Sequence, residues 1–424
     1  MQALALSLIV WSGPTPTPTD VWPEWRGPTG DNHVPGPALP TKWSKTENVV
    51  WKAPFPGWGN STPAIWKDAI FLTTQDNDRL LFLRIDRLTG KTAWERQVGK
   101  GVPRRTGKQG NGMFRDEHNM ASPSPVTDGK HVWVHYGNGD IACYDVDGDK
   151  KWSFNFIEKY GPYSIWWGHA NSPVLVDDLL ISVCMQDPLR GGKSYIVAHE
   201  KLTGKEKWYT LRDHGAKDEP ADSYVTPIVY RHDGRVDIIV FGANVLDAYD
   251  AFTGKRLWLS KPFGGNRVIS SATLADGTVY AIQGMKGVLY AVGPVKDVKD
   301  DITKTHVRWK VSGALPDASS PVVTNGLVFM VNNDGIAFCL DAASGKEHWK
   351  ERLGDQHRAT PLISGGNVYF VSKAGKATVI EAAKTLKIVH QCEMGEEVIA
   401  SPAAAAGDLY IRTKGRLYRI GEKK

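Results

Sequence analysis

The chain of 424 residues has only four cysteines, Cys143, Cys184, Cys339 and Cys392. None are adjacent, and none show metal-ligand spacing. A cysteine-built zinc module is excluded, and a disulfide framework is not expected. Cys143 (IACYD) and Cys339 (AFCLD) hold equivalent places in separate repeats, so the expectation is buried free thiols. A concentrated charge is also lacking. The net charge is +6, but Lys and Arg are scattered, mostly through turns such as TGK. No basic block reads as a nucleic-acid footprint, so nucleic acid is excluded as a partner. The N-terminal apolar run, MQALALSLIVWSG, is about a dozen residues, too short to cross a bilayer. It reads as the hydrophobic part of an export signal, followed by the extended spacer PTPTPT, with no cysteine behind it for lipid attachment. The expectation is a periplasmic or secreted monomer that does not span a membrane. Residues 1–20 would be signal and linker, 21–44 a lead-in segment, and 45–424 the folded domain. A serine hydrolase is unsupported, because no G-x-S-x-G is present.

Glycine and tryptophan are abundant, at 43 and 16 residues, which favours short strands and tight turns. The repeats carry the fold. Ser/Thr-Pro dipeptides align STPAIWKDAIFL, ASPSPVTDGKHVWV, NSPVLVDDLLISV, VTPIVY, SSPVVTNGLVFMV, ATPLISGGNVYFV and ASPAAAAGDLYIR; SSATLADGTVYAI joins them with Ala272 in place of proline. These eight units each continue with a turn, an alternating apolar run, a second short strand and then a turn such as LTGKTAW, LTGKEKW, FTGKRLW or ASGKEHW. Trp94, Trp152, Trp208, Trp258, Trp309 and Trp349 follow these turns. That period suits a four-stranded blade, with the glycine of T-G-K at positive φ. Unit five has a degenerate turn, and units seven and eight lack the tryptophan. Asn48–Lys52, which carries Trp51, would supply the missing strand of unit eight. An all-β, eight-bladed β-propeller closed by its N-terminal strand is the expected fold.

The turn-plus-tryptophan signature resembles that of the PQQ-like eight-bladed propellers, and the resemblance covers nearly the whole chain. WPEWRGPTGDN is similar to the lead-in segment of exported members of that group. One branch, the quinoprotein dehydrogenases, would imply pyrroloquinoline quinone (PQQ) with Ca²⁺ in the central channel and oxidation of alcohols or sugars. Those enzymes carry a vicinal Cys-Cys pair, which this chain lacks. The other, BamB-like branch implies a scaffold that uses no cofactor and binds a protein. The expectation is therefore a non-catalytic scaffold for a protein or glycan, with a PQQ-dependent oxidoreductase as the alternative.

In a propeller, the loop before each inner strand lines the channel mouth. Those loops hold Trp58 and Asn60, His118 and Asn119, Trp166, Trp167 and His169, Asp222, Arg267, Asp317, His357 and Arg358, and Glu397. Such a ring could bind an anion, a metal or a sugar, with Trp166 or Trp167 stacking on a planar ligand. His118, His169 and His357 share no short ligand motif, and no metal site is expected. DVDGDK (Asp145, Asp147, Asp149) reads as a variant of the T-G-K turn. The long basic insertion from Val98 to Asn119 should cover the mouth, and the acidic segment from Arg212 to Tyr224 should flank it.

Overall fold

The structure, a computed structural model, describes residues 19–101, 117–285 and 287–422. Eight sheets, each built on antiparallel neighbours, follow one another around a ring, and seven of them add their four blade strands in sequence from the inside outward. Blade one is Ala64–Trp66, Ala69–Asp76, Arg79–Asp86 and Thr92–Lys100. Blade eight takes Ala403–Ala405, Asp408–Arg412 and Arg416–Ile420 from the C-terminus and its outer strand, Val49–Pro54, from the N-terminus. That strand reaches Pro54 rather than ending at Lys52. Asn48, at φ 56°, lies outside it.

The Ser/Thr-Pro signature has a physical role that its periodicity alone does not reveal. In seven steps around the channel, the backbone N–H of the residue before the proline donates to the hydroxyl of its counterpart in the next blade. Thr62 donates to Ser124, Ser124 to Ser172, and Ser172 to Thr226. Thr226 donates to Ser271, Ser271 to Ser320, Ser320 to Thr360, and Thr360 to Ser401, all at 2.9–3.2 Å. The Thr62 hydroxyl closes the circle by donating to the Ser401 carbonyl at 3.2 Å. Only a short hydroxyl can accept here, and an unmet N–H at a buried position costs about 1–3 kcal/mol. Ala272 is tolerated after Ser271 because the hydroxyl, not the proline, carries the bond.

The outer seams use tryptophan. The indole N–H of Trp94 donates to the Val146 carbonyl, that of Trp152 to Lys201, and that of Trp208 to Ala251. Trp309 reaches Ala342, Trp349 reaches Ala383, and Trp51 closes the ring at Arg87. Each acceptor lies in the turn before the next blade's outer strand. The glycine of that turn lets the ring approach: a Cβ on Gly204, at φ 69°, would sit 2.9 Å from the Trp152 ring. The turn is capped from within, as where Asp86 Oδ1 accepts the Thr89 N–H and hydroxyl at 2.7 Å. In DVDGDK, Asp145 does the same for the Asp147 and Asp149 N–H groups. Apolar clusters straddle neighbouring blades, with Phe82 of blade one 5.4 Å from the Tyr144 ring of blade two. All four cysteines are buried and free.

Residues 19–44 do more than lead in. Val21–Trp22 pairs with the inner strand of blade one, and His33–Val34 with that of blade seven. Between them the segment crosses the end of the channel opposite the mouth. Buried Arg26 donates to the Ala272 and Pro321 carbonyls of blades five and six, and Asn32 to the Pro361 carbonyl of blade seven. Burial lowers the Arg26 guanidinium to about 10. Nothing in the composition marks this segment as a plug.

Ser320→Ala should lower the urea unfolding midpoint by an amount equivalent to about 1–3 kcal/mol, because the buried Ser271 N–H then has no acceptor. An unchanged midpoint would separate the hydroxyl ring from stability.

Candidate functional site

The loops before the inner strands do form one mouth, and their charges are arranged as fixed pairs. On the blade seven, eight, one and two side, Glu117 accepts Arg358 Nε at 3.0 Å and Lys373 Nζ at 2.6 Å. Burial raises the Glu117 carboxyl, but Lys373 and Arg358 outweigh it and hold the group below the usual range. Glu397 pairs with Lys373 at 3.7 Å and Lys414 at 3.5 Å, and Lys414 lies over the Trp58 ring at 5.1 Å. Asn60 donates to the Glu117 carbonyl, and Asn119 to the Trp58 carbonyl. These asparagines tie loops together. Glu117 is the first described residue after the gap in the Val98–Asn119 insertion, and it reaches across to blade seven. Residues 102–116 lie outside the described residues.

Blades three to six carry the second group. Trp166 N–H donates to Asp222 Oδ2 at 2.8 Å, Trp167 N–H donates to the Tyr224 hydroxyl, and that hydroxyl donates back to Asp222 at 3.2 Å. Arg190 lies 4.2 Å over the Trp166 ring and Arg267 lies 6.0 Å from the Trp167 ring. Arg267 pairs with Asp317 at 3.1 Å, and Asp317 also accepts the Met285 N–H. Two apolar residues stand out into solvent beside these rings, Leu189 at 65% and Met285 at 51% exposure. Asp222 is fully buried with Oδ1 unpartnered, and that burial raises its carboxyl to about 7.

The histidines part ways. His169 is fully buried, its ring 4.4 Å from that of His135 and 4.9 Å from Tyr163. Burial pushes it down to about 3, against a smaller upward effect of the Asn171 backbone, so it is neutral at pH 7. His357 is buried with Nδ1 on the Asp355 carbonyl at 2.8 Å and is held at about 4, chiefly by burial. His118 bonds the Ser122 hydroxyl. None of the three belongs to a group of three or more potential metal ligands among the described residues. In the Arg212–Tyr224 segment, buried Arg212 pairs with Asp247 at 2.8 Å, and His214 joins the same carboxylate at 2.7 Å.

Sequence reasoning missed four contributors to the mouth: Glu117, Arg190, Lys373 and Arg412. Arg412 ends the second strand of blade eight, Lys373 sits in the turn after the second strand of blade seven, and Arg190 sits in the matching loop of blade three. The candidate ring was drawn only from the loops before the inner strands. Arg412 is buried and pairs with no carboxylate among the described residues; it donates to the Ser61 carbonyl at 3.0 Å, and burial lowers it to about 9. The space among Trp58, Asn60, Glu397 and Arg412 is only about 10 Å³.

A larger cavity, about 500 Å³, opens at the opposite end, between residues 23–30 and the inner strands of blades two to four. Trp25, Trp66 and Glu24 line it, with Lys201 and Arg231 among its charged walls. Burial raises the Glu24 carboxyl to about 8, against the attraction of Arg231.

The family model described as outer membrane protein assembly factor BamB matches residues 37–108, 102–350 and 296–422. A BamB of Burkholderia pseudomallei is 31% identical over 147 residues, which is 34% of this chain and 33% of that protein. The match thus spans about a third of the curated relative's length. Among solved structures, BamB from Moraxella catarrhalis superposes with a TM-score of 0.61 at 12% identity, covering 88% of this chain and 97% of that one. Quinohemoprotein alcohol dehydrogenase from Comamonas testosteroni gives 0.69 at 14% identity, covering 96% and 82%. At these identities the structural likeness speaks for the fold alone.

The mouth makes a pH prediction through Asp222. Its carboxyl is raised from 3.8 to about 7 in the folded state, so its contribution to stability is full below pH 3.8 and is lost as pH rises through 7. The melting temperature of the wild type, relative to Asp222→Asn, should fall between pH 5 and pH 8. A difference that stays constant with pH would show that the carboxyl ionises normally.

Proposed function

The chain belongs to the family of the outer membrane protein assembly factor BamB, and from that premise we propose that it is an exported, non-catalytic scaffold that binds a protein partner at the channel mouth. The observation that carries this reading is the blade three-to-six rim. Trp166 and Trp167 stand there between Arg190 and Arg267, beside exposed Leu189 and Met285. Tryptophan, arginine and methionine are the residue types enriched at the centres of protein interfaces. Held in place by Asp222 and Tyr224, these rings would lose little freedom on binding.

The oxidoreductase alternative asks more of the mouth. PQQ is a planar tricarboxylate, and holding it takes an open aromatic face, uncommitted cations and carboxylates for Ca²⁺. Here the Trp166 ring lies under Arg190, Trp167 near Arg267 and Trp58 under Lys414. Arg358 and Lys373 share the Glu117 carboxylate, Lys373 also pairs with Glu397, and Arg267 pairs with Asp317. No two cysteines are adjacent. These residues do not fit the group, and no reaction step is derived through it. A glycan would be better served by the cavity of about 500 Å³, where Trp25, Trp66 and Glu24 offer aromatic surface and a carboxyl.

A photo-crosslinking amino acid at Leu189 or Met285, in the source cells, should yield the same protein adduct. Placed at Leu88 or Phe252, exposed on the turns at the other end, it should not. Equal labelling from both ends, or none from the rim, would sink the scaffold reading. With PQQ and Ca²⁺, tryptophan fluorescence should show no saturable quenching, and dye-coupled alcohol oxidation should be absent. Turnover would reverse the assignment.

A further inference from the structure

At the seam between blades four and five a docking tryptophan is present without its acceptor. The turn of unit five is degenerate in sequence, and the indole N–H of Trp258, the docking tryptophan that faces it, is buried without a partner. Instead of a tight T-G-K turn, residues 293–306 leave blade five and run along blade four. Asp300–Asp301 pairs in parallel with the outer strand of blade four, with Trp258 opposite Asp300. Ile302 N–H then donates to the Leu259 carbonyl at 2.9 Å.

This excursion brings Asp297 against the turn that ends the inner strand of blade four, where His232 and Asp233 stand. One ligand atom from each of His232, Asp233 and Asp297 lies within 4.8 Å of the other two. Two further features set this group apart from an ordinary surface cluster. The His232 side chain is 5% exposed, and its Nε2 faces Asp237 Oδ2 at 3.2 Å, a buried carboxylate that Arg235 clamps at 2.8 and 3.0 Å. That contact fixes the proton on Nε2 and turns the lone pair of Nδ1 toward the cluster. Nδ1 has no hydrogen-bond partner and lies 4.0 Å from Asp297 Oδ1. The gap suits two ligands each about 2.0–2.2 Å from a shared ion. A carboxylate behind a ligating imidazole is the usual support of such a histidine.

We propose that His232, Asp233 and Asp297 bind a divalent transition-metal ion of the Zn²⁺ type, which cross-links blade four to blade five where the tryptophan dock has lost its acceptor. One imidazole nitrogen with two carboxylate oxygens favours Zn²⁺ over Ca²⁺ or Mg²⁺, which take oxygen ligands. Lys296, whose ammonium pairs with Asp233 at 2.5 Å, supplies the positive charge in the absence of the ion and yields to it. Lys296 is 48% exposed and free to swing away.

Full-length protein stripped with a chelator is titrated with Zn²⁺ by calorimetry, and its melting temperature is followed with and without the ion. A single site and a rise in melting temperature are expected. Asp297→Asn, at an exposed position that folding tolerates, should weaken binding by more than the roughly 10–100-fold seen for loss of an outer-shell partner, and should abolish the thermal shift. His232→Gln should do the same, whereas Lys296→Gln should tighten binding. No binding to the wild type, or equal binding to Asp297→Asn, would overturn the proposal.

Discussion

The hydroxyl ring around the channel is the constraint on which the rest of the molecule depends. Each blade presents one Ser or Thr at this position: from Ser124 round to Ser401 its oxygen receives the N–H of the preceding blade, and the Thr62 hydroxyl closes the ring by donating to the Ser401 carbonyl. The bond fixes the height of every inner strand relative to its neighbours. The loops just before those residues must then meet at one mouth. At the other end, the carbonyls of Ala272, Pro321 and Pro361 are left pointing where Arg26 and Asn32 can use them. Mouth and plug are two consequences of one register.

The two ends differ in how they satisfy charge. At the mouth, most cations meet carboxylates or lie over tryptophan rings, Arg412 is held instead by the Ser61 carbonyl and hydroxyl, and the apolar Leu189 and Met285 stand exposed. A surface of this kind offers shape and aromatic area rather than free charge. At the plugged end, Arg26 is buried against the Ala272 and Pro321 carbonyls and the Thr273 hydroxyl, and Glu24 lines a cavity with its carboxyl raised by burial.

Much of this was legible from periodicity. The T-G-K turns and their tryptophans give the blade number, because in five of the turns a positive-φ glycine lets an indole of the neighbouring blade lie close. Trp51 in ENVVWKA points to the strand that completes blade eight, because an unpaired outer edge would otherwise remain. The side chains of the mouth were less legible. Position before a Ser/Thr-Pro places a residue near the channel but does not say whether it faces solvent. Thus His169 and His357 are buried and neutral, while Trp166 and Trp167 stay half-buried. The partners that decide these outcomes, Glu117, Lys373 and Arg190, sit in other loops or on other blades.

The sequence by itself determined the repeat, the number of blades and the closure of the ring, because these follow from local turn chemistry and strand alternation. Only the tertiary structure decided that residues 19–44 cross the channel, that the mouth charges are paired, and that His232, Asp233 and Asp297 meet at one seam. Each of these is a contact between segments remote along the chain. Whether a charge is met or a nitrogen left unpartnered depends on which backbone the fold carries past it, and no spacing records that.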